Sequence, residues 1–287
     1  MIQEEIHTAP IQKNRIRLQE YAVGIFTTYS TKSAIKKAIK KGLIFVNGKI
    51  ASTGMYINGG ETIELYQSEE KKSSKNLILP IEILFEDDYL AVIYKPAGIL
   101  VSGNKFVTIA NGLAQNLQKS SLPDAVHPKP IHRLDYPTSG VLLIGKTSSS
   151  IIALSKLFEN KKIKKTYISI CIGKMKEKGV IDFLIDNKTS FTDFNVLQTV
   201  VSLRFDFLNL VKLHPKTGRK HQLRKHLSAI GNPVLGDKDY GKENLILNGK
   251  GLYLHAEKIT FTHPFTQKKI SISKEIPKKF KKIFSTM

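Results

Sequence analysis

His132-Arg133-Leu134-Asp135-Tyr136-Pro137-Thr138-Ser139-Gly140 runs directly into the apolar stretch Val141-Leu142-Leu143-Ile144. A polar loop carrying two turn-formers, Pro137 and Gly140, thus feeds a run that reads as a buried strand. Such a junction holds a reactive side chain still. Asp135 is a candidate catalytic carboxylate within it, and Arg133 a candidate contact to phosphate or base. His132 and Arg133 bring positive charge that favours an ionised carboxylate. Most loop aspartates before Pro and Thr are turn-formers or caps, so the assignment needs support from elsewhere in the chain.

Charge narrows the function classes. Lys and Arg number 45 against 24 Asp and Glu, a formal charge of +21 over 287 residues. That excess calls for a polyanionic partner, nucleic acid ahead of an anionic membrane. The length suits one large domain and a small one. The single cysteine, Cys171, lies in the apolar run from Tyr167 to Ile172. It has no intramolecular disulfide partner and no metal-ligand spacing around it, so it reads as a buried, inert thiol. Met1 to Pro10 lacks the pattern of a signal peptide. No apolar run approaches the ~18–20 residues a membrane span needs. A cytoplasmic protein without a metal is the expectation.

The chain divides into a polar arm (residues 1–14), a small domain (15–66), a linker (67–76) and a large domain (77–287). In the small domain, Ser33 to Lys41 is predicted as a helix, with Ile35, Ala38 and Ile39 on one face. Lys36, Lys37, Lys40 and Lys41 lie on the other with no acid among them, as suits contact with RNA phosphates; a solvated helix face is the competing reading. Gly42 stops the helix. Leu43 to Val46 is a strand, Asn47-Gly48 a tight hairpin turn, and Lys49-Ile50 the return. Asn58-Gly59-Gly60 is a second turn, before a strand over Thr62 to Leu65.

In the large domain, strands are predicted over Tyr89 to Tyr94, Val141 to Ile144, Lys165 to Gly173, Phe205 to Leu213, Leu252 to His255 and Ile259 to Phe261. Helices are predicted over Ser148 to Phe158 and His221 to Ile230. Many strands with few, separated helices point to an α+β fold with a mostly antiparallel mixed sheet. Two segments offer Asp135 partners. Tyr167 opens a strand in Lys164-Lys165-Thr166-Tyr167, where half-buried packing is its ordinary fate. Pro215 to Arg224 is a turn opening a helix, and a helix N-terminus beside Arg219 favours anions. Arg224 reads as a structural ion pair or as a basic partner near Asp135.

These segments together resemble the RluA-like pseudouridine synthases. The matching residues are His132-Arg133-Leu134-Asp135 with Thr138-Ser139-Gly140, the Lys165-x-Tyr167 strand, and Thr217-Gly218-Arg219 with His221-Gln222-Leu223-Arg224. His226-Leu227, Gly236-Asp237, Tyr240-Gly241, Lys95-Pro96-Ala97-Gly98, Leu254-His255-Ala256 and His263-Pro264 agree as well. The similarity spans about residues 80 to 265. The small domain is similar to the alpha-L RNA-binding module named after ribosomal protein S-four. That similarity runs from Arg17-Leu18 through the Lys41 to Lys49 segment to Leu65.

The resemblance implies isomerisation of uridine to pseudouridine in RNA, in a pseudouridine synthase catalytic domain preceded by a small α/β RNA-binding domain. Asp135 would attack the ribose or otherwise promote glycosidic cleavage. The uracil would rotate and rejoin through carbon five. Tyr167 would stack on the base, Arg224 would pair with the aspartate, and Arg133 would fill the space of the flipped-out nucleotide. No metal or organic cofactor is needed. Large-subunit ribosomal RNA is the favoured substrate and transfer RNA the alternative. A non-catalytic RNA-binding or ribosome-assembly protein on the same fold is the competing function. Oligomeric state has no signature in the sequence, and a monomer is the default.

Overall fold

The computed structural model describes residues 2–26, 28–29, 31–67, 77–247 and 249–284. The chain forms two compact units divided between Asn76 and Leu77. The expected linker lies, from residue 68 onward, outside the described residues.

The first unit contains β1 (Ile2–Thr8), β2 (Ile16–Arg17), α1 (Leu18–Tyr21), α2 (Lys32–Lys40), β3 (Ile44–Val46), β4 (Lys49–Ile50), β5 (Tyr56–Ile57) and β6 (Thr62–Gln67). Four of the strands form one sheet in the order β1-β6-β3-β4, and β2 pairs with β5. Thr31 caps α2 by accepting the Ala34 N–H at 3.2 Å. Ile35, Ala38 and Ile39 are buried in the core with Leu18, Ile44, Ile57, Ile63 and Leu65. Asn47 (φ 49°) and Gly48 (φ 73°) both adopt left-handed backbone, as a tight hairpin between β3 and β4 requires.

The expected arm is a correction. Residues 2–8 form a strand that pairs antiparallel with β6, from Ile2 opposite Gln67 to Thr8 opposite Thr62. Backbone hydrogen bonding to the open edge of β6 recruits it. Its anchors are the His7 ring against the Tyr21 hydroxyl at 2.8 Å and buried Ala9, while Ile6 is exposed. Apolar alternation is therefore missing from this segment.

The second unit is built on a ten-stranded sheet. Its elements are β7 (Ile83–Glu86), β8 (Leu90–Lys95), α3 (Ile109–Asn116), β9 (Ala125–Pro130), β10 (Ser139–Thr147), α4 (Ser148–Glu159), β11 (Lys164–Ile172), β12 (Lys178–Asp182), β13 (Phe191–Ser202), β14 (Asp206–Pro215), α5 (Gln222–Ala229), a 3-10 turn (Glu243–Leu245), β15 (Leu254–Thr262), β16 (Lys269–Ser273) and α6 (Lys278–Lys281). The order is β12-β13-β14-β11-β15-β10-β8-β7, with β16 beside β15 and β9 beside β10. Among the described pairs only β10 and β15 run parallel; the others are antiparallel. The fold class is α+β with a mostly antiparallel sheet.

Every residue of β10 is buried. It is covered on both faces, which is why Val141 to Ile144 reads as a continuous apolar run rather than an alternating one. The two late strands expected from the sequence are one, β15. Glu257 is skipped where the pairing with β11 shifts register between Thr166 and Tyr167. This bulge places Glu257 and Lys258 mid-strand, and those charges hide the strand's continuity.

Candidate functional site

Strand register explains how distant motifs converge. Leu213 of β14 pairs with Tyr167 of β11, Tyr167 with Ala256 of β15, and Ala256 with Gly140 of β10. Adjacent strands lie about 4.8 Å apart, so Tyr167 and Gly140 stand roughly 10 Å apart across the sheet. Gly140 has a φ of 130°, and a Cβ there would run into the Ala256 backbone. Only glycine lets the Asp135 loop enter the sheet so close to β15.

The loop is tied down from below by Lys95, which is fully buried. Its Nζ donates to the carbonyls of Thr138 at 2.7 Å, Pro96 at 2.9 Å and Tyr136 at 3.4 Å. Burial pulls its pKa down to about 8, opposed by the nearby charge of Asp135. The Gly98 N–H donates to the Tyr136 carbonyl at 2.8 Å and the Thr138 N–H to the Asp135 carbonyl at 3.0 Å. Ser139 Oγ meets His255 Nδ1 at 2.9 Å, while His255 Nε2 faces the Lys274 carbonyl at 3.1 Å. The carbonyl can only accept, so Nε2 carries a proton and a neutral ring accepts from Ser139 through Nδ1.

Above the loop is a cleft of about 450 Å³ whose walls include Asp135, His132, Arg133, Lys165, Tyr167, Arg219 and His221. The opposite wall, residues 215–219, is held by a closed network. Thr217 Oγ1 donates to Gln222 Oε1 at 2.7 Å and accepts the Phe191 N–H at 3.1 Å. Gln222 Nε2 donates to the Phe191 carbonyl and to Thr192 Oγ1. Lys165 Nζ crosses from β11 to donate to the Thr217 carbonyl at 3.0 Å.

The Asp135 side chain is 14% exposed, and the nearest basic side chain in ion-pair range is His221, with Nε2 3.8 Å from Oδ1. His221 is in left-handed backbone (φ 55°) at the start of α5, and its Nδ1 lies 2.9 Å from the Tyr240 hydroxyl. Burial lowers the His221 pKa, with Asp135 opposing. Burial, reinforced by Asp135, raises the Tyr167 pKa and keeps its hydroxyl protonated.

Two expectations about Asp135 are refined. Arg224 makes no direct ion pair with it and is not among the cleft's wall residues, although the Asp135 charge is one of those that hold the guanidinium protonated. Its guanidinium grips Asp237 through Nε at 2.7 Å and Nη2 at 2.6 Å, and reaches Asp239 at 2.6 Å. Asp237 is buried and needs this fork to offset its lost hydration. Nor does His132 supply positive charge. Its Nε2 accepts the Leu143 N–H at 3.1 Å, and burial, then Lys165, draws its pKa down to about 4. Of the other expected RNA contacts, Arg133 is exposed at the cleft and Arg219 is half-buried with Nε on the Thr189 carbonyl. Lys36, Lys37 and Lys40 are exposed on α2 in the first unit, and Lys41 is exposed at its C-cap.

Sequence reasoning missed His221 and Lys95 as neighbours of Asp135 and assigned Lys165 no role. All three stand in the matched motifs; no local signal ranks them, because 86 residues separate Asp135 from His221. Cys171 is fully buried, and burial pushes its thiol up to about 12, as suits an inert group.

Comparison with known proteins gives the family. The family described as RNA pseudouridylate synthase matches residues 89–229, which include the Asp135 loop, Tyr167 and α5. An uncharacterized RNA pseudouridine synthase of Aquifex aeolicus is 31% identical over 98% of this chain and 96% of its own length. Ribosomal large subunit pseudouridine synthase D of Buchnera aphidicola is 33% identical, covering 93% of this chain and 92% of that one. The solved structure of human RNA pseudouridylate synthase domain containing 4 superposes with a TM-score of 0.56 at 25% identity, over 69% of this chain and 90% of that one. A charged cleft on a mostly antiparallel sheet and near full-length similarity to such enzymes lead to one conclusion: the chain belongs to the RNA pseudouridine synthases, isomerases that act on RNA.

Proposed function

We propose that this synthase modifies uridines of large-subunit ribosomal RNA, flipping the target nucleotide into the cleft where Asp135 promotes cleavage of its glycosidic bond. The observation that carries the reading is the convergence of Asp135 and Tyr167 on one cleft. A base inside a stack is out of reach, so it must be extruded at a cost of a few kcal/mol. An aromatic face such as Tyr167 offsets part of that cost by stacking. Arg133, exposed at the rim, suits the space the nucleotide vacates. Arg224 joins α5 to Asp237 and Asp239 and acts on Asp135 through its charge rather than by a direct ion pair. The first unit serves as an alpha-L type RNA-binding module, with the α2 lysines on phosphates.

Ribosomal RNA is favoured because the Buchnera relative named for it matches 93% of this chain. The tRNA pseudouridine synthase C of Haemophilus ducreyi, 34% identical, matches 72% of the chain and keeps transfer RNA as the second reading. Two measurements test the proposal. Pseudouridines are mapped in total RNA from cells with and without the protein; sites lost only from transfer RNA would overturn the substrate. Tritium release from carbon five of labelled uridine is compared for wild type and Asp135→Asn; wild-type turnover in the variant would remove Asp135 from the mechanism.

A further inference from the structure

We propose that Lys165 is a further catalytic residue: its ammonium group donates to a carbonyl oxygen of the flipped uracil and offsets the negative charge the ring acquires as its glycosidic bond breaks. The inference rests on the reading of the Asp135 cleft as the active site. When the bond between N1 and the ribose C1′ breaks, the electron pair stays with N1. The ring becomes an anion whose charge is shared by N1 and the two carbonyl oxygens, and the electron deficit on the ribose is met by Asp135. Recombination at C5 returns the ring's electrons to C1′. C5 then releases its proton and N1 takes one up, so the isomerisation is balanced. Lys165 gains and loses no proton in this sequence. A donor fixed in advance where charge develops is the device that lowers such a barrier most.

Three observations place Lys165 in this role. It is two residues from Tyr167 on β11, so the pleat sends both side chains to the same face, and both line the cleft. Its Nζ is anchored by one hydrogen bond, to the Thr217 carbonyl, which leaves two N–H donors. No carboxylate among the described residues lies in ion-pair range of it, whereas Lys216, an exposed cation of the same cleft, is paired with Asp193 at 2.6 Å. An anchored, half-buried ammonium without a counter-ion awaits an anion. Burial lowers its pKa to about 8, so at pH 7 it is charged yet poorly hydrated. Exposed Lys161 and the rim residue Arg133 suit the phosphates; Lys165 is half-buried.

The test uses the full chain and its mapped RNA site, transcribed either with uridine or with 5-fluorouridine. Fluorine makes the ring more acidic, so the departing anion needs less help. Lys165→Gln is expected to slow single-turnover consumption of uridine on the order of 100-fold while RNA affinity and melting temperature stay near wild type. The loss should shrink clearly with 5-fluorouridine, and Lys165→Arg should recover part of the rate. Equal losses on both substrates would mean that the residue only supports the Thr217 wall. Weaker binding with an unchanged rate would make it a phosphate contact. Either result overturns the proposal. Asp135→Asn is run in parallel: activity retained there rejects the site itself, whereas an inactive Asp135→Asn beside an unselective Lys165→Gln rejects only the role of Lys165.

Discussion

At the residue scale, the site separates a side chain that lines the cleft from one that holds the frame. Tyr167 lines the cleft with a hydroxyl that burial keeps protonated. If its ring stacks on the uracil, Tyr167→Leu should lose about 1–3 kcal/mol of affinity for the flipped nucleotide together with activity. Tyr167→Phe should keep the fold and the affinity but lose most of the turnover. Single-turnover conversion and RNA binding of both variants check this; near-normal turnover in both would exclude Tyr167 from the chemistry. Arg224 belongs to the frame. Arg224→Ala would leave Asp237 charged and buried without its fork, at a cost of about 3–5 kcal/mol. Denaturant unfolding of the variant measures it, and an unmoved midpoint would mean that the Asp237 pair contributes nothing.

At the element scale, α2 buries one face and leaves a row of charge on the other. Ile35, Ala38 and Ile39 bury it, Thr31 caps it, and the four lysines are left to solvent. Exposed charges with no base-reading neighbours set affinity rather than site choice. Replacing Lys36, Lys37, Lys40 and Lys41 with Gln should weaken RNA binding and flatten its salt dependence, by about 0.7–0.9 in slope for each phosphate that is no longer neutralised. The modified uridine should stay the same. Binding titrations from low to high salt read the slope, and an unchanged one would make this a merely solvated face. The strands show the opposite arrangement: β10 has no free face, so its function lies wholly in the loop it anchors.

At the scale of the whole molecule, the second unit carries a shared acid sensitivity. His132 precedes β10, His226 lies in α5 and His255 in β15, and burial pulls each down to about 4 from the ordinary 6.5. All three are neutral when folded, and unfolding lets them take up protons. Their contribution is fully present above about pH 6.5 and is lost as pH falls toward 4. Stability should therefore drop steeply between pH 6.5 and 4, with unfolding coupled to uptake of about three protons. Denaturant unfolding across that range measures the slope. His226→Gln, which can still donate to Ser190, should flatten it by about one proton; an unchanged slope would show that His226 stays accessible to protons in the folded state.

What the sequence determined by itself is local. The junction from Asp135 into β10 was legible because turn chemistry and a continuous apolar run are encoded in neighbouring residues. So were the buried face of α2, the Asn47-Gly48 hairpin and the start of α4, since capping and periodicity act over a few positions. Strands β1, β9, β12 and β16 were not legible. β1, β9 and β12 alternate poorly, and β16, which does alternate as Lys-Ile-Ser-Ile-Ser, is only five residues long; it is the strand beside each that makes them strands. The cleft's membership was half legible: the motifs named Asp135 and Tyr167, but which cation meets which carboxylate was decided by register and burial. Arg224 sits only three residues from His221, yet Asp237 claims it, because a fully buried carboxylate without a partner is costlier than one still partly open to water. His132 looks cationic in the chain and is neutral in the fold, since the Leu143 N–H takes its lone pair and burial denies it the proton. Proton positions and ion pairs depend on distances between segments dozens of residues apart, and only the folded sheet sets those distances.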